Sequence, residues 1–226
     1  MGQTPASTAE ARQSRRNTQI KLFSDGSVTV STTLWLGGDY RLWYEQFKTG
    51  LANGRENVWA TLQLIAQKRR GSASLKWLPE KEGWRGVFIA QKIENYLPES
   101  EIGLLNFAPA HNGAASLFSV LDLFETRTRK SSYLCQAMEI EDTVEIALAD
   151  NLKLLRLPRD QQISNEGAEL RVSYRQNGSR YEMKRSFRWQ APASGSCSAE
   201  DWNSRLEAMR RMRSAVMSAV LAYERQ

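Results

Sequence analysis

In the stretch LRVSYRQNGSRYEMKRSF, residues 170–187, apolar Leu170, Val172 and Tyr174 alternate with Arg171 and Ser173. Beyond Asn177-Gly178, a second alternating set follows: Tyr181, Met183, Arg185 and Phe187. A period of two sends successive side chains to opposite faces of a strand. Asn-Gly supplies the positive backbone angles that a tight hairpin turn requires. The stretch therefore predicts two antiparallel strands, and its first role is structural.

Working outward, Ile140, Thr143-Val144-Glu145-Ile146 and Leu152 to Leu155 are further short strand segments separated by turn residues. They make the second half of the chain β-rich. Downstream, Ser198 stands three residues before Asp201, which gives an N-cap and a favourable early acid. Trp202, Leu206, Met209, Val216, Val220 and Tyr223 then recur at helical offsets. This predicts one amphipathic helix through DWNSRLEAMRRMRSAVMSAVLAY, residues 201–223, packed across the adjacent sheet.

The first half carries its own hairpin signal. Ile20, Leu22 and Phe23 precede Asp25-Gly26, after which Val28 and Val30 alternate with Thr29 and Ser31. Gly37-Gly38 interrupts the pattern, Asp39 is placed to cap a helix, and residues 40 to about 70 read as helical, with Trp43 and Phe47 four apart. Leu75, Trp77, Trp84, Val87, Ile89 and Ile93 supply short strands around the Pro79-Glu80 and Glu82-Gly83 turns. Composition turns loop-like at Ala108-Pro109-Ala110-His111-Asn112-Gly113, where a domain boundary is expected. The expected organisation is a flexible leader over 1–16, a mixed α/β accessory domain over 17–112 and a β-rich domain with a terminal helix over 113–226. The fold class is α+β: a mixed α/β module, then an antiparallel β-sandwich-like module with a packed C-terminal helix.

The chain has 226 residues, 41% of them hydrophobic, and seven Trp, so it is folded material. Its net charge of +6 arises from 31 Lys and Arg against 25 Asp and Glu, and the two signs are interspersed. Lys184 and Arg185, for example, have Glu182 beside them and read as solvated surface, while Arg15-Arg16 falls in the expected leader. Arg210, Arg211 and Arg213 cluster on the terminal helix, but Asp201, Glu207 and Glu224 interrupt that element. Specific nucleic-acid recognition is not expected; weak, salt-sensitive association is the alternative.

Chemistry is sparse. There is no Walker A segment or dinucleotide fingerprint. His111 is the only histidine and has no nucleophile at a recognisable spacing. Cys135 and Cys197 form no CxxC, and either two buried thiols or one long-range disulfide fits them. Glu139, Glu141, Asp142 and Glu145 read as acids on the wet face of a strand rather than metal ligands. No catalytic, cofactor or metal residue is therefore assigned. The opening MGQTPASTAEARQSRRN has no apolar run, so it neither resembles a secretory signal nor could span a membrane. An exported natural protein would make this chain a piece of it.

The second half resembles the region that follows the papain-like catalytic core in bacterial transglutaminase-like proteins carrying the DUF3857 and DUF3858 domains. The residues concerned are Val144-Glu145-Ile146, Leu155-Arg156-Leu157-Pro158, Ser164-Asn165-Glu166-Gly167, Leu170-Arg171-Val172-Ser173-Tyr174, Tyr181-Glu182-Met183-Lys184-Arg185 and Ala199-Glu200-Asp201-Trp202. Leu22, Asp25-Gly26 and Val28 are similar to the hairpin that opens the segment after that core, and Thr4-Pro5 to the exit from it. The resemblance implies an accessory module of a periplasmic or otherwise extracytoplasmic parent whose Cys-His-Asp domain is a separate part. Neither cysteine nor His111 matches its catalytic positions.

These readings favour a noncatalytic protein-interaction module, with a protein or peptide partner and the missing catalytic domain as the candidates; a purely structural spacer is the other alternative. Trp35, Tyr40, Trp43, Trp77 and Trp84 are the candidate interaction surface. A binding module should gather them beside one groove, and a spacer should bury or scatter them.

Overall fold

A computed structural model describes residues 12–38, 71–90, 92–94, 96–97, 101–106, 116–122, 128–192, 194–218 and 220–226. Its main feature is an eight-stranded sheet in the order β3-β4-β2-β1-β7-β11-β10-β9. The strands are β1 (Arg12–Leu22), β2 (Val28–Gly37), β3 (Gly71–Leu78), β4 (Gly83–Ala90), β7 (Met138–Ala147), β9 (Gln161–Asn165), β10 (Ala168–Asn177) and β11 (Arg180–Trp189). Every neighbouring pair is antiparallel except β1 with β7. A three-stranded sheet is built from β5 (Ile102–Asn106), β13 (Val220–Arg225) and β8 (Leu152–Arg156), with β13 central. Two short strands, β6 (Tyr133–Leu134) and β12 (Ser196–Cys197), pair separately, and the α-helices among the described residues are α1 (Leu117–Asp122) and α2 (Ala199–Met217).

The α+β class, the sandwich-like stacking of antiparallel sheets and the packed C-terminal helix are as expected. Along β1, β7 and β11 burial alternates strictly, so one face of the large sheet is buried and the other wet. One core unites Ile20, Val30, Ile146 and Phe187 of that inner face with Leu206, Met209 and Met212 of α2 and with Leu105, Leu221 and Tyr223 of the small sheet.

Both hairpins form. β1 and β2 pair with Leu22 opposite Val28, and Asp25 Oδ1 accepts from the Ser27 N–H at 2.9 Å inside the intervening loop. Asn177 pairs with Arg180, so the turn itself is Gly178-Ser179. Gly178 has φ +61° at the first turn position, where a side chain would be strained.

Three expectations need correction. First, the leader does not extend to residue 16: β1 begins at Arg12, and Ser14 and Arg16 are buried in its alternation. Second, the division at 112/113 does not separate two cores, because β1 of the first part pairs along its length with β7 of the second. A long parallel pairing between remote segments leaves no local signal in composition. Third, α2 ends at Met217, where the Ser218 N–H bonds to the Ser214 carbonyl, and residues 220–225 form β13. Val216, Val220 and Tyr223 suit a helical period, but Leu221 and Tyr223 also alternate. Pairing on both sides, to β5 and β8, decides for the strand. The helices expected over 40–70 lie outside the described residues.

Candidate functional site: the wet face of the eight-stranded sheet

Directly paired residues on neighbouring strands share a face, so the registers define rows across the wet face. One row runs Lys76, Arg85, Trp35, Arg15, Glu141, Ser186, Arg171. Between β1 and β10 charge in and around this row is locally neutralised: Arg15 pairs with Glu141 at 3.2 Å, Arg188 with Glu139 at 3.2 Å, Arg171 with Glu169 at 2.8 Å and Lys184 with Glu182 at 3.1 Å, whereas Lys76 and Arg85 have no ion-pair partner among the described residues. Glu169 is held below the usual carboxylate range, chiefly by its hydrogen bond from Arg171.

Toward the two hairpin ends the face hollows into a groove of about 800 Å³. It crosses β4, β2, β1, β7, β11 and β10, from Ile89 to Arg175. One row through it reads Ile89, Ser31, Gln19, Glu145, Glu182, Arg175, and the next reads Thr29, Lys21, Ala147, Arg180, Asn177. Among the described residues, Glu145, Arg175 and Arg180 have no ion-pair partner, and Lys21 lies 5.1 Å from the Phe23 ring centroid. The groove thus combines unspent cations, hydroxyl and amide groups, and one aliphatic end at Ile89, which is 51% exposed.

The candidate aromatics are divided by the sheet. Trp35 lies on the wet face, under the Arg15 guanidinium at 5.2 Å, and its ring leaves no room for a Cβ at Gly37 or Gly83. Trp84 is directly opposite both Leu36 and Trp77, which puts the Trp77–Trp84 pair on the other face, edge to face at 5.5 Å. Trp84 is fully buried. The structure therefore brings Trp77 and Trp84 together and separates Trp35 from them; Tyr40 and Trp43 lie outside the described residues.

A buried ionic row on the inner face went unread in the sequence. Arg16, Asp142 and Arg185 are register partners on β1, β7 and β11, and Arg185 Nη1 donates to Asp142 Oδ2 at 3.3 Å. Asp142 is therefore not on the wet face with Glu139, Glu141 and Glu145, and Arg185 is not surface with Lys184. Burial pushes the Arg185 pKa down, against the raising effect of Asp142. The signal was phase: Asp142 is in step with Ile140 and Val144, and Arg185 with Met183 and Phe187.

Cys135 and Cys197 form a disulfide across the β6–β12 pair. Beside it the Arg129 guanidinium lies 4.4 Å from the Tyr133 ring centroid and 4.3 Å from that of Trp202, fastening this segment to the start of α2. Ser198 caps α2 in a full capping box with Asp201, as expected. On the helix, Arg213 is paired with Asp122 at 2.8 Å, while Arg210 and Arg211 are exposed. His111 lies outside the described residues. Among those described, no group of His, Cys, Asp or Glu is arranged to hold a metal ion, and no helix is long and apolar enough to cross a membrane.

Comparison with known proteins gives one domain match and a distant structural likeness. No curated protein matches the chain. Among solved structures, a protein from Parabacteroides distasonis described as a "putative protease" is similar at 12% identity and a TM-score of 0.44. The match covers 62% of this chain and 30% of that one, so the chain spans about a third of that protein's length. The family model described as "Domain of Unknown Function with solved-structure structure (DUF3858)" matches residues 114–193, the segment that supplies α1 and β6 through β11. A DUF3858 domain is therefore present over residues 114–193.

Proposed function

We propose that this chain is the noncatalytic accessory part of a larger, extracytoplasmic transglutaminase-like protein and that it docks a polypeptide on the wet face of its eight-stranded sheet. The observation that carries the reading is the Cys135–Cys197 disulfide. It engages both cysteines of the chain, leaving no thiolate to attack an amide. Persistent disulfides belong to oxidising compartments, which supports a periplasmic parent. The wet-face groove supports docking over a purely spacing role, because a spacer needs no concavity lined by unengaged charges.

The test has two arms. An amide-transfer and peptidase assay on the purified chain is expected to show no turnover; turnover abolished by Cys197→Ser or His111→Ala would refute the noncatalytic reading. Calorimetric titration with the separately produced catalytic core of the parent is expected to show saturable binding, and its absence would favour the spacer.

A further inference from the structure

We infer that the wet-face groove receives an extended, acidic polypeptide segment with spaced carboxylates, an assignment that rests on the docking reading above. Charge complementarity identifies the occupant. On the same central strands Arg15, Arg171, Lys184 and Arg188 have carboxylate partners, whereas Lys21, Arg175 and Arg180 face the groove without one among the described residues; Lys76 and Arg85, also without one, lie outside the groove. Each is exposed, so a carboxylate can reach it without a large desolvation penalty. Carboxylate–guanidinium contacts are charge-assisted and among the stronger polar contacts available.

The floor narrows the choice further. Glu145 and Glu182 lie in the row between Gln19 and Arg175. A polymer with an anion on every unit, such as a polyuronate or a nucleic acid, would set charge over both. A peptide can place Asp or Glu at the three cations and uncharged residues over the two acids. Among the described residues, no exposed aromatic ring lines the groove to stack a sugar or base, since its Tyr181 is buried. Ile89 at the far end offers an aliphatic contact instead. From Ile89 to Arg175 the groove crosses six strands. At ~4.8 Å per strand spacing this is about 24 Å, the reach of roughly seven extended residues.

The experiment is fluorescence anisotropy on the whole oxidised chain. The probes are a labelled octapeptide with carboxylates at alternate positions and a terminal Leu, its Lys-for-Glu counterpart, an oligogalacturonate and a single-stranded oligonucleotide. The acidic peptide is expected to bind saturably, more weakly at higher salt, and the other three are not. Arg175→Glu with Arg180→Glu should weaken it by about tenfold or more, the size of one lost charge-assisted contact. Arg171→Glu, outside the groove, should leave it unchanged. Equal binding of the oligogalacturonate or oligonucleotide overturns the peptide assignment, as does indifference to the double reversal or no binding of the acidic peptide. If the catalytic core binds while the acidic peptide does not, the docking reading survives and this inference fails.

Discussion

Replacing Asp142 by Ala should be among the most damaging single changes in the sheet. Asp142 is 3% exposed, and its register partners Arg16 and Arg185 are 6% and 2% exposed. The substitution removes the carboxylate that accepts from Arg185 Nη1, on a buried face where Ile140, Val144, Met183 and Phe187 are the near apolar neighbours. At an effective dielectric of ~20 and a separation of ~4 Å, one lost attraction amounts to about 4 kcal/mol. Breaking a buried pair by removing one partner falls in the same range, about 3–5 kcal/mol. For a chain of this size the midpoint should drop by roughly 10 °C. Urea unfolding followed by circular dichroism, with the disulfide intact, reads the loss. Glu141→Ala is the control: its carboxylate is on the wet face, 63% exposed in its pair with Arg15, and should cost less than ~1 kcal/mol. Asp142→Leu combined with Arg185→Met should recover much of the loss, since an apolar replacement of a buried pair is often neutral. A loss below ~1 kcal/mol for Asp142→Ala would show that water reaches this row and would refute the reasoning.

Further outcomes follow from the same geometry. Reduction, or Cys135→Ser, should destabilise the chain by about 4 kcal/mol on the loop-entropy model for a 62-residue separation, read as a drop in Tm under reductant. Ser198→Ala should cost ~1 kcal/mol through loss of the α2 cap, measured by urea titration. The Ser198 hydrogen bonds hold the Asp201 carboxyl below its ordinary range. Its contribution is therefore present above the unfolded value near ~4 and is lost as pH falls through the lower folded value. The acid slope of stability should flatten in Asp201→Asn. Gly178→Ala should cost ~1 kcal/mol, read in the same titration; nothing crowds the new Cβ, so the cost is purely that of the φ +61° turn.

What the residues made legible was local. Strict alternation with Asp25-Gly26 and with Asn177-Gly178 set both hairpins, and Ser198 with Asp201 set the start of α2. The pairing of β1 with β7 was not legible, because two strands more than a hundred residues apart advertise only that each needs a neighbour. The end of α2 failed for a related reason: residues 220–225 satisfy a helical and a strand period equally, and the edges of β5 and β8 arbitrate. The buried Asp142 and Arg185 are in phase with apolar neighbours, a signal their charge obscures, whereas Arg16 sits in phase with Ser14 and Thr18 and carries no such signal. The aromatics misled differently. Trp35 and Trp84 flank a sheet, and only the register reveals that they point to opposite sides. The groove is written in residues with no motif, Gln19, Ser31, Arg175 and Arg180, which become neighbours only once six strands are ordered.

The most direct test of the account is a backbone amide map of the contact surface. Isotope-labelled chain titrated with the catalytic core of the proposed parent should show shifts concentrated at Gln19, Lys21, Ser31, Glu145, Arg175 and Arg180 on the wet face. Ile102 and Leu104, the exposed aliphatic residues of the small sheet, should stay unperturbed. Shifts confined to β5 and β13, or none at saturating core, would contradict a docking role for the wet face.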